Sequence, residues 1–182
     1  ILRNKLGYSK SLSVAVAPNP YNISKGWQGS YDYAALAKYS DYLMIMAYDE
    51  SYQGGPAGPV ASASFVEKSI KYAVERVPKS KIVLGIPFYG RLWKSDGSYG
   101  GYGVSNVTIE QMIQKYNGKV IYDKKTQTPK AVITIKQEDE KPTILGKKLD
   151  AGTYNIWFEN EQSIKYKLSL VQKYDIKGTG SW

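Results

Sequence analysis

The hydrophobic pattern of the chain is densest in residues 40–50, where five apolar residues and two tyrosines run without a break into Asp49 and Glu50. A run without alternation predicts a strand that is buried on both faces. Polar groups at the end of such a strand lie at the edge of a parallel sheet where sites are built. The pattern therefore indicates a candidate site, with ordinary turn residues as the alternative.

Other segments of the chain also contain apolar runs that predict strands, with predicted helices between them. Apolar runs at residues 12–17 and 82–87 predict two more strands, and residues 63–77 place apolar side chains on one helical face, ended by Pro78. The patterns further predict helices at 31–39, 108–117 (capped by Thr108) and 163–174, and strands at 120–123, 131–136, 143–145, 154–158 and 177–182. Apolar strands that alternate with helices indicate a parallel α/β sheet or barrel, interrupted by an α+β lobe at residues 94–152.

The amino-acid composition limits the kinds of catalytic site that the chain could contain. The 182 residues include no Cys and no His, which excludes thiolate nucleophiles, Ser-His-Asp triads and metal sites built from these residues. Acid–base chemistry must therefore fall to Asp, Glu, Tyr or Lys, and we expect neither a metal nor a cofactor. The 17 tyrosines and 4 tryptophans supply flat surfaces for ring-shaped ligands.

The net charge of +9 favours anionic surroundings. The lysines are dispersed with no run longer than two, so we do not expect nucleic acid as a partner. No apolar stretch reaches the roughly 18 residues of a membrane span. Because the chain starts with Ile1 rather than Met and stops within a predicted strand at Trp182, we expect it to be part of a longer protein.

Three motifs occur in a fixed order: Met46-Ala47-Tyr48-Asp49, then GIPFYGR at residues 85–91, then GTGSW at residues 178–182. The ordered set resembles the C-terminal half of a family-18 glycoside hydrolase, a chitinase-like (β/α)8 barrel. Residues 154–182, YNIWFENEQSIKYKLSLVQKYDIKGTGSW, are similar to the bacterial cell-wall and spore-cortex N-acetylglucosaminidases of that family. The resemblance covers essentially the whole chain.

The resemblance implies that residues 12–17, 41–48, 82–87 and 178–182 are barrel strands five to eight. Residues 94–152 would be the chitinase-type insertion lobe, which divides the chain into barrel portion 1–93, lobe 94–152 and barrel portion 153–182. Half a barrel leaves two unpaired strand edges. We therefore expect the chain to self-associate or to pair with a missing N-terminal half.

The resemblance also implies a substrate-assisted reaction, in which the N-acetyl carbonyl of the sugar attacks its own anomeric carbon. Tyr48 matches the tyrosine that orients this carbonyl, and Asp49 matches the aspartate that lies beside the catalytic acid. Trp182 matches the tryptophan beneath the sugar at the cleavage point. The implied substrate is an N-acetylglucosamine polymer, peptidoglycan or chitin, and the implied location is extracytoplasmic, in the cell wall or spore envelope.

Three further residues are candidates for substrate binding. Met46 would line the pocket, and Tyr89 and Arg91 would lie at its mouth. The alternatives are that Met46 is plain core, that Tyr89 is core, and that Arg91 only pairs with a surface carboxylate.

One departure from the family is large. The signature D-x-x-D-x-D-x-E, which carries the catalytic glutamate, occurs nowhere in the chain. Glu50, Glu159 and Glu161 do not fit it and are interpreted as surface or cap residues. A binding role is the alternative for Glu159, which follows Trp157 and Phe158. We therefore expect the parent protein to be a glycosidase and these 182 residues alone to be inactive. A non-catalytic glycan-binding module is the alternative, and a basic nucleic-acid-binding domain is a third, disfavoured one.

Overall fold

A computed structural model describes residues 1–98 and 100–182, which form two compact units. The first, here called the parallel unit, comprises Ile1–Tyr48, Ser64–Ile86 and Tyr166–Trp182. The second, the lobe unit, comprises Asp49–Ala63 and Pro87–Lys165.

The helices and strands follow the sequence pattern closely. The helices are α1 (Leu2–Leu6), α2 (Gly26–Gly29), α3 (Tyr33–Tyr39), α4 (Ala63–Val74), α5 (Asn106–Lys115) and α6 (Glu161–Tyr174), with a 3₁₀ turn at Lys79–Lys81. The strands are β1 (Ser13–Val16), β2 (Tyr42–Ile45), β3 (Ile82–Ile86), β4 (Tyr89–Lys94), β5 (Tyr102–Ser105), β6 (Lys119–Asp123), β7 (Thr128–Ile135), β8 (Thr143–Ile144), β9 (Lys147–Lys148), β10 (Gly152–Trp157) and β11 (Gly178–Ser181). The sequence did not predict α2, β5 or β9, nor β4 as a strand separate from β3.

The parallel unit contains a four-stranded sheet in the order β1-β2-β3-β11, and all three strand pairs are parallel. The α/β prediction with four parallel strands is therefore confirmed. Strand β3 is buried along its whole length, whereas β2 alternates, with Leu43 and Ile45 buried and Tyr42 and Met44 half-buried. The expectation that residues 40–50 are covered on both faces is thus wrong for this chain.

The helices of the parallel unit bury the faces that the spacing predicts. Val66, Ile70 and Ala73 of α4 are almost completely buried. Helix α3 begins at an N-cap, Asp32, whose carboxylate accepts a hydrogen bond from the amide of Ala35 at 2.9 Å. Such a cap satisfies a main-chain donor that the first helical turn leaves unpaired.

The lobe unit contains an antiparallel sheet in the order β5-β4-β10-β7-β6. Its core combines this sheet with helix α5 and the β8–β9 region. The buried core residues are Leu92, Val104, Ile109, Met112, Ala131, Ile133, Ile135, Ile144, Leu149, Tyr154, Ile156 and Phe158. Helix α5 is capped by Ser105, whose hydroxyl accepts from the amide of Thr108 at 3.2 Å, so the prediction of Thr108 as the cap is wrong.

The lobe sheet extends on both sides of residues 94–152. Strand β4, which enters the lobe, pairs antiparallel with β10, which leaves it, from Arg91–Trp157 to Lys94–Tyr154. The chain thus enters and leaves the lobe on neighbouring strands. The domain boundaries at residues 93 and 152 stay a prediction.

Candidate functional site

Tyr48 lies just beyond the carboxyl end of β2, where the chain leaves the sheet. The amide of Met46 still bonds to the carbonyl of Val16 on β1 at 3.0 Å, and the amide of Tyr48 turns back to the carbonyl of Met46 at 2.8 Å. These bonds end the strand and hold Tyr48, which is half-buried, at the sheet edge. Met46 is also half-buried, so it is not an enclosed core residue.

The ring of Tyr48 packs against the main chain of Gly85 on β3. A Cβ atom at position 85 would lie 3.1 Å from Cε1 of Tyr48 and 2.6 Å from the carbonyl oxygen of Ile45. The second distance is a severe overlap with a main-chain atom. Glycine at position 85 therefore allows β2, β3 and the tyrosine ring to approach this closely.

Trp182 follows β11 at the same edge. Its amide donates to the carbonyl of Ile86 at 3.0 Å, which extends the β3–β11 ladder, while its side chain is 76% exposed. Because parallel strands end on one side of a sheet, Tyr48 and Trp182 share the carboxyl edge of the four-stranded sheet. An exposed indole face at such an edge can stack on the C–H groups of a sugar.

Asp49, in the lobe unit, is the centre of a polar cluster with Tyr89 and Arg91, here called the Asp49 cluster. Oδ1 of Asp49 accepts from the hydroxyl of Tyr89 at 2.6 Å and from Nε of Arg91 at 2.9 Å, and Nη2 of Arg91 lies 2.9 Å from the same oxygen. Nη1 of Arg91 donates to the carbonyl of Gly101 at 2.7 Å. Every guanidinium nitrogen thus has a partner, so the carboxylate is held rigidly by charge-assisted bonds.

The backbone conformation of Asp49 is also unusual. Its φ angle is 60°, a left-handed conformation that is uncommon for residues other than glycine. Strained backbone of this kind concentrates at functional sites, where surrounding contacts maintain it. Here the contacts are those of the Asp49 cluster.

The structure brings Asp49, Tyr89 and Arg91 together, and it places Tyr48, Met46 and Trp182 at the strand ends of the parallel unit. Arg91 does pair with a carboxylate, as one alternative stated, but its side chain is only 14% exposed and its partner is a predicted site residue. Sequence reasoning missed the carbonyl of Gly101, since a main-chain acceptor leaves no signal in residue types.

The three glutamates differ from one another. Glu159 is 2% exposed, so its interpretation as a surface residue is wrong. Glu50 accepts from the amide of Ser62 at 2.9 Å, and Glu161 forms an ion pair with Lys165 on α6 at 2.6 Å. Within residues 1–98 and 100–182, no group of three or more His, Cys, Asp or Glu side chains could hold a metal ion. No helix in that same part of the chain is long and apolar enough to cross a membrane.

A chain with aromatic side chains at the carboxyl ends of its parallel strands, and with an antiparallel sheet inserted in its sequence, is typical of barrel-type glycoside hydrolases. The model of the family described as glycosyl hydrolases family 18 matches residues 2–182. The chain belongs to that family.

Individual relatives agree with this. The cortical fragment-lytic enzyme of Bacillus subtilis is 28% identical over 175 residues, which are 94% of this chain and 38% of that protein. The crystal structure of the putative sporulation-specific glycosylase ydhD from Bacillus subtilis superposes with a TM-score of 0.85 at 27% identity, covering 100% of this chain and 56% of that one. A chitinase from Chromobacterium violaceum gives a TM-score of 0.79 at 31% identity, covering 94% of this chain and 50% of that one. The chain spans about 40% of the length of the curated Bacillus relatives that it matches.

Proposed function

We propose that this chain is part of a glycosidase that cleaves an N-acetylglucosamine polymer of the cell wall or spore envelope. Peptidoglycan is the first candidate substrate and chitin is the second. The proposed reaction is the substrate-assisted retaining mechanism. The observation that carries the proposal is the Asp49 cluster, which directly follows Tyr48 at the end of β2. Membership of family 18 supports it. The relatives include proteins named cortical fragment-lytic enzyme and di-N-acetylchitobiase.

In this mechanism the carbonyl oxygen of the acetamide forms a bond to C1 while the glycosidic C1–O bond breaks. The leaving oxygen takes a proton from a carboxylic acid. Water then attacks C1 and gives a proton to the carboxylate formed in the first step, while the bond between C1 and the acetamide oxygen breaks and the acetamide is restored. Each step inverts C1, so the configuration is retained over both. The acid would come from outside residues 1–182, since the chain lacks the glutamate signature.

The residues of this chain would orient the nucleophile. The hydroxyl of Tyr48 would donate to the acetamide carbonyl, which fixes its direction of attack and stabilises the charge that develops. The carboxylate of Asp49, immobilised by Arg91 and Tyr89, would face the acetamide N–H and the acid. Trp182 would form the floor beneath the sugar ring.

The decisive experiment measures reducing ends released by the whole protein from spore-cortex peptidoglycan and from chitooligosaccharides. Tyr48→Phe removes only the hydroxyl and should lower kcat by about 10²–10³-fold, the usual cost of losing one such donor. Tyr21→Phe, an exposed tyrosine at 61%, is the matched control and should leave kcat unchanged. Release from neither polymer would refute the function, and full activity of Tyr48→Phe would refute the assigned role.

A second candidate is a non-catalytic glycan-binding module, which the missing glutamate signature favours. It predicts saturable binding of chitooligosaccharides by the whole protein with no products after prolonged incubation. Both candidates keep Trp182 as a stacking surface, so Trp182→Ala should weaken binding in either case. Product formation decides between them.

Association is part of the proposal. Among the described residues, β1 and β11 each pair with another strand on one side only. Unpaired strand edges recruit further strands. We propose that these edges pair with the N-terminal half of the protein or with a second copy. Light scattering of the 182-residue chain should show association, and a well-folded monomer would contradict this.

A further inference from the structure

The opposite edge of the four-stranded sheet, where its strands begin, carries a series of lysines. Lys10 precedes β1 by three residues, Lys38 precedes β2 by four, Lys79 precedes β3 by three and Lys177 immediately precedes β11. All four are exposed, and none forms an ion pair with another described residue. Because the strands are parallel, their amino ends lie together, so the four lysines lie along one edge.

Hydrogen bonds join this edge into a continuous surface. Arg3 is 8% exposed and donates through Nη1 to the carbonyl of Lys10 at 2.9 Å and through Nη2 to the carboxylate of Asp41 at 2.5 Å. Nζ of Lys81 donates to the carbonyls of Ala37 at 2.7 Å and Ser40 at 2.8 Å. The side chains of Arg3 and Lys81 therefore form hydrogen bonds that fix the segments before β1 and β2.

The β3 and β11 ends are joined in the same way. The amide of Lys177 donates to the carbonyl of Lys79 at 3.0 Å. An open groove of about 550 Å³ lies there, lined by Lys79, Ser80, Asp175, Ile176 and Lys177. Lys79 and Lys177 thus line one open groove.

The charge of this edge is unbalanced. Asp41 is bound to Arg3, Glu75 is bound to Arg76, and Asp175 lines the groove. The four exposed lysines therefore outnumber these three carboxylates, two of which are already paired with arginine. Such an excess attracts polyanions over roughly 10 Å at 0.1 M salt.

Two exposed tyrosines interrupt the cationic surface. Tyr8 is 92% exposed, with the guanidinium of Arg3 5.4 Å from the centre of its ring. Tyr39 is 68% exposed, and its carbonyl accepts from Nε of Arg3 at 3.5 Å. Flat aromatic faces on a cationic surface suit sugar rings that carry carboxylates. Lysine rather than arginine supplies the exposed charge, which suits a flexible polymer rather than one fixed bidentate anion.

We propose that Lys10, Lys38, Lys79 and Lys177, with Tyr8 and Tyr39, form an anchor surface for a carboxylate-bearing glycan polymer. The surface lies at the amino edge of the sheet, whereas Tyr48 and Trp182 lie at the carboxyl edge, so an anchored polymer leaves the cleavage residues free. Binding at two places on one polymer raises the effective concentration at each.

The test measures binding of the whole protein to polygalacturonate, which carries one carboxylate on each sugar, without any turnover. Substituting the four lysines by glutamine should weaken binding about tenfold or more at low salt and flatten its dependence on salt. The matched control replaces four exposed lysines of the lobe unit, Lys119, Lys124, Lys136 and Lys148, by glutamine and should change binding less than twofold. Equal losses in both variants would overturn the proposal, because they would show a response to net charge alone.

A second comparison separates sugar recognition from charge. The double variant Tyr8→Ala, Tyr39→Ala should weaken binding to polygalacturonate severalfold and leave binding to inorganic polyphosphate unchanged. Duplex DNA bound more tightly than polygalacturonate, or a tyrosine variant without effect, would overturn the assignment to a glycan. Hydrolysis of short chitooligosaccharides should be unaffected in all these variants, so failure of the anchor surface is distinct from failure of the proposed function.

Discussion

Gly85→Ala adds a single methyl group at the closest approach of β2, β3 and the Tyr48 ring. The new Cβ would lie 2.6 Å from the carbonyl oxygen of Ile45 and 3.1 Å from Cε1 of Tyr48. The first contact is with main chain that is bonded into the sheet on both sides. Relief therefore requires β2 to shift or the tyrosine ring to move.

The expected magnitude follows from two opposing terms. Overpacking in a well-packed core costs about 1–3 kcal/mol. Replacing glycine by alanine within a strand regains about 0.5–1 kcal/mol of conformational entropy. The net loss in the free energy of unfolding should be about 1–2 kcal/mol, or roughly 2–8 °C in the midpoint of thermal unfolding.

Gly180→Ala is a matched control, because Gly180 is the register partner of Gly85 on β11. Its new Cβ would meet Cε and Sδ of Met44, at 2.9 and 3.2 Å, and these atoms end a flexible side chain. Its stability should therefore be unchanged or slightly raised. Thermal and urea unfolding of the two variants test this, and equal stability of Gly85→Ala and the unsubstituted protein would refute the reasoning.

Three further predictions concern single contacts. Arg91→Lys keeps the charge but cannot bond Asp49 and the Gly101 carbonyl together, so we expect a loss of about 1–3 kcal/mol in urea unfolding. The pKa of Asp41 is held below its usual range, first by the hydrogen bond from the Leu12 amide and then by Arg3. The ionised carboxylate therefore stabilises the fold above the unfolded-state pKa. This contribution is lost as the pH falls through the folded-state pKa. Asp41→Asn should therefore make the unfolding midpoint depend less on pH between about pH 5 and pH 2. An unchanged pH dependence would contradict this prediction. Asp32→Ala removes the α3 cap and should cost about 1 kcal/mol in the same unfolding assay, whereas Asp32→Asn should retain most of the stability.

The parallel unit could be predicted from the sequence because its signals are local. Continuous apolar runs identified the strands, and the 3.6-residue spacing of Val66, Ile70 and Ala73 identified α4. The alternation within β2 was missed because burial depends on what covers the second face, which a strand does not encode. Helix α5 was found, but its cap was misplaced because both Ser105 and Thr108 have capping side chains.

The candidate site could be predicted in its residue types but not in its bonds. The motifs around Tyr48 and Arg91 identified the candidate side chains, because these motifs resemble those of the family. The shared oxygen of Asp49 depends on the left-handed backbone at that residue and on a sheet formed by distant segments. Neither feature has a signature in a single sequence. The buried position of Glu159 was missed for the same reason.

The pairing of β4 with β10 has a consequence for the ancestry of the segment between these two strands. The segment leaves β4 and returns on β10, and because the strands are hydrogen-bonded neighbours, its two ends are about 5 Å apart. A chain that lacked the segment could close this gap with a tight turn at little entropic cost. The segment can therefore be gained, enlarged or exchanged as one piece, while the pairing of β4 with β10 is kept.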